Sequence, residues 1–264
     1  MATWATKRKL TYASGVIAAA LVIIGIPAFL LLYKAPTCSD GIQNEGEQGI
    51  DCGGPCRTLC QTDFLSPVVV WANSEEVTPG HYNLGAYIEN PNIDGGATNV
   101  PYQFSVFDSQ GIFITRVTGT MDIPPNRNTL AFIGSVNMGQ RVPAAGGVQF
   151  SFTSAPVWAK AGDTLGNLSI SNKQYNEDSS GASLQATITN TGLTSYNNMT
   201  VFSILSDANG NELAFSKTFI DSIAGGASVV APFTWPTSFN GAVVSEDILP
   251  VVSPSFDSPQ NSTN

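Results

Sequence analysis

Four cysteines stand close together near the amino end of this chain: Cys38, Cys52, Cys56 and Cys60. An even number of clustered cysteines in an oxidising compartment favours disulfides, and four cysteines allow three pairings, which the sequence leaves open. Zinc is the alternative, because the last three cysteines follow a C-x3-C-x3-C spacing. Structural zinc sites instead pair C-x2-C knuckles with a second knuckle or with histidines, and the one histidine, His81, lies over twenty residues beyond Cys60. We therefore expect two disulfides.

Side chains that carry oxygen are interspersed among these cysteines, namely Asp40, Asn44, Glu47 and Asp51. Carboxylate and amide oxygens are the ligands that calcium prefers in proteins. The spacing is not that of an EF-hand, which needs ligands at every second position and a terminal Glu. The alternative is that these side chains cap turns in a segment with few apolar residues. Calcium is the only cofactor that the sequence suggests.

The residue types and spacings of this chain favour a protein that is not an enzyme. The chain has no G-x-S-x-G elbow, no H-E-x-x-H and no phosphate-binding glycine loop. His81 is the one candidate general base, and its Gly-His-Tyr context at the start of a strand favours an ordinary strand-edge residue. Trp71, Trp158 and Trp235 could form a sugar-binding platform, but large aromatic residues are first expected in the core of a β-sandwich.

The stretch from Ala13 to Leu32 runs for twenty residues without a charge. Twenty helical residues span the roughly 30 Å hydrocarbon core of a bilayer, so we expect this segment to contact lipid as a signal anchor. A cleaved signal peptide would have a shorter apolar region and a small-x-small cleavage site, and neither is found. A buried core helix is the remaining alternative.

The charges on either side of this segment predict its orientation. Lys7, Arg8 and Lys9 precede it, and only Lys34 follows closely, so the positive-inside rule places the amino end in the cytoplasm. All 20 Asp and Glu lie beyond Lys34, against 7 of the 11 Lys and Arg. So acidic an exterior has no basic patch for a phosphate backbone, and we expect no nucleic-acid partner.

Beyond Cys60 the chain is rich in short alternating runs of Val, Ile, Phe, Thr and Ser, broken by Gly, Pro, Asn and Asp. This pattern is typical of many short strands, and it predicts a mainly β fold of the sandwich type. No window outside the apolar segment sustains a helical apolar stripe for three turns.

An internal repeat appears at an offset of about one hundred residues. NLGAYIENPN, from Asn83, aligns with SLQATITNTG, from Ser183, which places Asn90 over Asn190 at the end of a strand. Downstream, Phe104 and Val106 align with Phe202 and Ile204, and all four are expected in sandwich cores because apolar residues alternate there. A repeat of this length is the size of one immunoglobulin-like sandwich.

Two resemblances follow from these residues. The segment from Cys38 to Cys56 resembles a recurring motif of extracellular proteins, C-x-D-G-x-x-N-x-x-E-x-x-x-D-C-G-G-x-C. The fixed positions of that motif are occupied here by Cys38, Asp40, Gly41, Asn44, Glu47, Asp51, Cys52, Gly53, Gly54 and Cys56. The first repeat, with IENPN, FSVFDSQG and DIPPNR, resembles the FxLYD-type immunoglobulin-like domains of membrane-anchored prokaryotic surface proteins. The second repeat looks like a divergent copy. The resemblance implies a fold and an exterior location, and it supplies no catalytic residues.

These observations predict the organisation of the whole chain. We expect a cytoplasmic amino end at 1–11, a transmembrane helix at 12–33, a cysteine-rich stalk at 34–61, sandwiches at 62–157 and 158–250, and a disordered tail at 251–264. The function expected is that of a single-pass, membrane-anchored surface protein that contacts a protein or envelope partner without catalysis. A carbohydrate- or calcium-binding module is the alternative.

Overall fold

The computed structural model describes residues 4–32, 37–44, 46–56, 58–61, 64–162, 165–239 and 241–254. Within these ranges the chain is mainly β, with one apolar helical segment at its amino end. The fold class expected from the sequence is confirmed. Most of the expected tail, as well as Lys34, lies outside the described residues.

The amino-terminal segment is helical from Trp4 to Leu32. Helix α1 covers Trp4–Ala20, a π-helical turn covers Leu21–Gly25, and α2 covers Ile26–Leu32. Pro27 has no N–H to donate to the carbonyl four residues earlier, and a widened turn just before it accommodates that loss. A 22-residue span, Arg8–Phe29, has a mean hydropathy of 2.1, and none of it is buried against the described protein. These properties fit a membrane anchor or a signal sequence.

The first sandwich has two antiparallel sheets. Its strands are β1 Val68–Thr78, β2 His81–Glu89, β3 Gly95–Phe107, β4 Phe113–Ile123, β5 Asn128–Asn137, β6 Val148–Phe152 and the short β7 Ala159–Lys160. One sheet has the order β1-β2-β5 and the other β4-β3-β6, with β7 pairing the start of β3.

The second sandwich repeats this arrangement. Its strands are β8 Leu168–Asp178, β9 Gly181–Asn190, β10 Tyr196–Ser206, β11 Glu212–Ile223, β12 Ser228–Trp235 and β13 Ser245–Val251. The sheet orders are β12-β9-β8 and β11-β10-β13, which match the first sandwich strand for strand. Strands β1 and β8 begin 100 residues apart, at Val68 and Leu168.

Two buried asparagines hold the same corner in both repeats. Asn90 Nδ2 donates to the carbonyls of Gly95 and Pro124, each at 2.8 Å. Asn190 Nδ2 donates to the carbonyls of Thr194 and Ile223, at 2.8 and 3.1 Å. Asn90 thus joins the loop after β2 to the end of β4, and Asn190 joins the loop after β9 to the end of β11. Each side chain also satisfies carbonyls that burial would otherwise leave unpaired.

The register of the repeat differs from the sequence alignment in the third strand. Asn99 and Asn198 share a positive φ of 53°, and Val100 and Met199 follow them into the two cores, so the offset here is 99 residues. Phe104 therefore corresponds to Ser203. Phe202 and Ile204 were expected in the core of the second sandwich, and they lie instead on its outer face. A slip of one residue moves every side chain to the opposite face of a strand.

Each sandwich has its own apolar core. The first core includes Ile88, Phe104, Ile123 and also Trp158, one residue past the expected boundary at 157. The second core begins with Leu165 and extends to Val252.

A third apolar cluster, here called the interface cluster, joins the two sandwiches. It is formed by Trp71, Tyr87, Leu130 and Phe132 of the first sandwich with Phe202, Ile204, Phe215, Leu249 and Val251 of the second. The β1-β2-β5 sheet of the first sandwich thus packs by its outer face on the β11-β10-β13 sheet of the second. Strand β10 is consequently buried on both faces.

Candidate functional surfaces

The four cysteines form two disulfides, as the sequence predicted. Cys38 bonds Cys56, with 5.5 Å between their Cα atoms, and Cys52 bonds Cys60, with 4.9 Å. This is one of the three pairings that the sequence left open. All four thiols are consumed, so none is left as a thiolate for zinc.

The oxygen-bearing side chains of this segment hold its turns. Both carboxylate oxygens of Asp51 accept the Gly41 N–H at 3.0 Å. Asp40 Oδ1 accepts the Ile42 N–H at 2.9 Å, and Asp40 Oδ2 accepts from Asn44 Nδ2 at 2.9 Å. Glu47 Oε2 accepts the N–H groups of Asn44 and Asp51, at 3.3 and 3.2 Å. The turn-capping roles are therefore present, while calcium binding at the same residues stays a prediction.

Glu47 is the most buried of these four residues, at 7% exposure. Its carboxylate lies close to the sulfurs of Cys38 and Cys56, with Oε1 3.0 Å from Cys56 Sγ. A carboxylate with two cysteine sulfurs is a metal-binding donor set only when the sulfurs are thiolates. Since these two sulfurs form a disulfide, the cluster offers a single carboxylate.

The cysteine module, residues 37–61, is attached to the first sandwich near Trp158. The Leu59 N–H donates to the Trp158 carbonyl at 3.2 Å, and Thr58 forms a β-bridge with Ala159. Just beyond the module, the Phe64 ring stacks on Trp158 at 5.8 Å between centroids. The buried Asn92 then accepts the Leu65 N–H and donates to the Leu65 carbonyl, each at 2.9 Å. These contacts hold the described part of the module against the sandwich.

The three tryptophans considered above are packing residues. Trp158 and Trp235 are 1% and 3% exposed, and the Trp235 indole N–H donates to the Phe215 carbonyl at 3.3 Å. Trp71 is half-buried between the rings of Tyr87 and Phe215, at 5.8 and 5.7 Å. They do not share one exposed face, so they do not form the sugar-binding platform considered above. His81 lies at the tight turn between β1 and β2, with Nδ1 3.4 Å from the Pro79 carbonyl oxygen.

Two acidic side chains lie beside the interface cluster, and no sequence motif marks them. Glu75 on β1 reaches across the junction, where Oε2 accepts the Phe215 N–H at 3.3 Å. Glu212 on β11 reaches back and accepts from Asn73 Nδ2 at 2.5 Å. Burial raises the pKa of Glu75 to about 8, opposed by the Phe215 hydrogen bond and assisted by the charge of Glu212. Burial also raises the pKa of Glu212, although its hydrogen bond from Asn73 lowers it.

A polar cleft of about 280 Å³ opens along the same junction. Asp122 lies in it and accepts the Asn99 N–H at 2.9 Å and the Ser253 hydroxyl at 2.5 Å. The Lys217 ammonium covers the Phe132 ring at 4.9 Å from its centroid. The charged groups of the cleft thus serve contacts within the protein, and these contacts add to the apolar cluster in joining the sandwiches.

Comparisons with known proteins give no family. No family model matches the chain, and no curated protein matches it. A β-glucuronidase from glycoside hydrolase family 2 is 12% identical, with a TM-score of 0.23 over 86% of this chain and 29% of that one. The β-glucuronidase 2 of Bacteroides uniformis is 12% identical, with a TM-score of 0.22 over 62% and 22%. Red sea bream transglutaminase is 10% identical, with a TM-score of 0.20 over 70% and 32%.

The chain spans less than a third of the length of each of these three solved structures. Likenesses at such scores carry no argument about the activity of this protein.

Proposed function

We propose that this protein is a membrane-anchored, non-enzymatic surface protein that presents its paired sandwiches to a protein or envelope partner outside the cell. The observation that carries the proposal is the interface cluster, in which Phe215 and Trp71 pack the two sandwiches together. Together with the docked cysteine module, this packing joins the two sandwiches into one body that follows an apolar helix. A joined body on a single anchor is suited to presenting a surface.

Three features support the exterior placement. Disulfides persist in oxidising compartments, and both disulfides lie just after the apolar helix. Lys7, Arg8 and Lys9 come before the apolar span, and cytoplasmic flanks are rich in such residues. The resemblance of the first repeat to FxLYD-type domains of prokaryotic surface proteins points the same way.

The apolar helix itself supports an anchor. Val16, Ile17 and Ile23 are between 59% and 70% exposed, and no described part of the protein packs on them. A helix that is apolar all round and uncovered by protein is stable in lipid, where its backbone hydrogen bonds are satisfied internally.

Labelling of lysines on intact expressing cells tests the proposal. A membrane-impermeant amine reagent is expected to modify Lys160, Lys173 and Lys217, which are exposed on the sandwiches. Lys7 and Lys9 are expected to be modified only after permeabilisation. Mass spectrometry of the recovered full chain reads both sets at once, so each chain carries its own control. Equal labelling of the two sets in intact cells, or loss of the peptide that holds Lys7, would overturn the proposed anchoring.

A further inference from the structure

Strand β6 is an open edge of the first sandwich. It pairs with β3 on one side, and no described strand pairs with its other side. The Phe107 N–H donates to the Gly147 carbonyl, and the Thr153 N–H donates to the Pro101 carbonyl. Because backbone direction alternates along an antiparallel strand, the residues between these bonds that face away from β3 are Val148, Phe150 and Phe152. No strand of the described residues pairs with their N–H and C=O groups, which form a row of donors and acceptors.

A seven-strand immunoglobulin-like domain places one more strand beside this one. Here the described chain after β6 turns away through residues 153–158, and β7 pairs with the start of β3 instead. Within the described residues no strand pairs at this position; β1, an edge strand of the opposite sheet, approaches β6 without pairing with it.

The corresponding edge of the second sandwich is protected. Strand β13 carries Glu246, Asp247 and Pro250, and charges and proline are devices that prevent an edge from pairing. In addition, Lys173 Nζ donates to the Glu246 backbone carbonyl, which occupies an acceptor of that strand. Strand β6 reads VQFSF and has none of these devices. The same fold in one chain thus has one closed edge and one open edge.

The surroundings of the open edge carry no charge. Residues 64–74 and 142–159 contain no Asp, Glu, Lys or Arg, in a chain of net charge −9. Leu65, Val68, Val70 and Val157 expose between 50% and 74% of their surface in these segments. Two acidic copies of this protein repel one another over most of their surface, so an uncharged face is where they approach at the least cost.

We propose that two copies of this chain associate through their β6 strands, which pair antiparallel about a two-fold axis at Phe150. In that register Val148 lies opposite Phe152 of the second copy, and Gln149 lies opposite Ser151. The strand is therefore self-complementary, with apolar residues opposite apolar ones and polar opposite polar. The pairing joins the two β4-β3-β6 sheets into one continuous sheet. This association goes beyond presentation of a surface and does not depend on it.

Sedimentation equilibrium of the full chain in density-matched detergent tests the proposal. The wild-type chain is expected to dimerise reversibly. The double variant Gln149→Lys/Ser151→Lys changes two exposed positions and places lysines opposite lysines twice in each dimer. Like charges directly opposite each other are destabilising, so we expect dimerisation to weaken by about tenfold or more.

Two further samples separate edge pairing from other causes. Ser169→Lys/Ser171→Lys adds the same charge at exposed positions of the edge strand β8 and is expected to leave dimerisation unchanged. A mixture of the lysine double variant with Gln149→Glu/Ser151→Glu is expected to restore it, because opposite charges then face each other. A wild-type monomer at all concentrations overturns the proposal. So does a dimer that the Gln149→Lys/Ser151→Lys variant does not weaken, since the apolar helix would then account for it.

Discussion

The ring of Phe215 on β11 lies against the backbone of Gly85 on β2, across the junction of the two sandwiches. A Cβ built on Gly85 would stand 2.7 Å from the Phe215 ring, closer than side-chain carbons approach in proteins. Gly85 is buried, and its φ is not positive. Glycine is therefore needed at this position because it leaves room for the ring, and not because of its backbone freedom. The absence of a side chain at this position allows the sheets to meet.

Gly85→Ala is therefore expected to loosen the junction. Overpacking a buried contact costs typically about 1–3 kcal/mol, and we expect the free energy of unfolding to fall by that amount. Differential scanning calorimetry should show two transitions in place of one cooperative transition. Gly162→Ala is the control, because no atom lies within 4 Å of an added Cβ there. Equal melting curves for the two variants would contradict a role for Gly85 in the junction.

Glu75 should make the junction sensitive to pH. Its pKa rises from 4.5 to about 8 when the sandwiches are packed, so the packed state binds the proton more tightly. This contribution to stability is complete below about pH 4.5 and is lost as the pH rises to about 8. The slope is at most about 1.4 kcal/mol per pH unit.

Glu75→Gln should remove that slope and leave a protein more stable than wild type above about pH 8. Urea unfolding across this range measures the change, with the exposed Glu76→Gln on the same strand as the control. Wild-type pH dependence in the Glu75→Gln variant would refute the assignment to Glu75.

Asn190→Ala should destabilise the second sandwich strongly. The side chain is fully buried, and its loss leaves the carbonyls of Thr194 and Ile223 without their donor. An unsatisfied buried polar group costs about 1–3 kcal/mol, so we expect a loss of about 2–4 kcal/mol in urea unfolding. Asn197→Ala, an exposed change seven residues away, should stay within about 0.5 kcal/mol of wild type. A small effect at Asn190 would mean that water replaces the amide.

Ser203→Ala should stabilise the protein. The Ser203 hydroxyl is buried and has no hydrogen-bond partner within the described chain, so removing it relieves a desolvation cost. We expect a gain of up to about 1 kcal/mol in the free energy of unfolding. Ser105→Ala is the comparison, because the Ser105 hydroxyl accepts from Arg116 Nε and its loss should give no gain. A loss of stability at Ser203 would show that its hydroxyl has a partner.

The sequence predicted the fold class, the disulfides and the equivalence of Asn90 and Asn190 at the end of a strand, because each is encoded by local residue type and spacing. It misplaced Phe202 and Ile204, since β10 is buried on both faces and the alternation that distinguishes an inner from an outer face is lost. The same offset of 99 residues relates Asp108 to Asp207, and each caps its turn, Asp108 by accepting the Gln110 and Ile112 N–H groups and Asp207 by accepting those of Asn209 and Asn211.

The roles of Glu75 and Glu212 could not be predicted from their neighbours in the sequence. Glu75 stands among polar residues of its strand, and Glu212 follows a polar turn, as solvent-exposed acids do. Their burial arises only because the outer face of one sandwich is covered by the other, and that covering joins residues about 140 positions apart. The disulfide pairing is likewise set by three-dimensional proximity.

The junction of the sandwiches joins unlike faces of two copies of one fold, the β1-β2-β5 sheet of the first and the β11-β10-β13 sheet of the second. A contact between unlike faces is heterologous and does not close upon itself. The corresponding sheet of the second sandwich, β12-β9-β8, carries Gln185 and Thr187 where the first has Gly85 and Tyr87, so its outer face is polar where the first one is apolar. A further duplication of the repeat would lengthen the body by one docked unit only if this outer face became apolar as well.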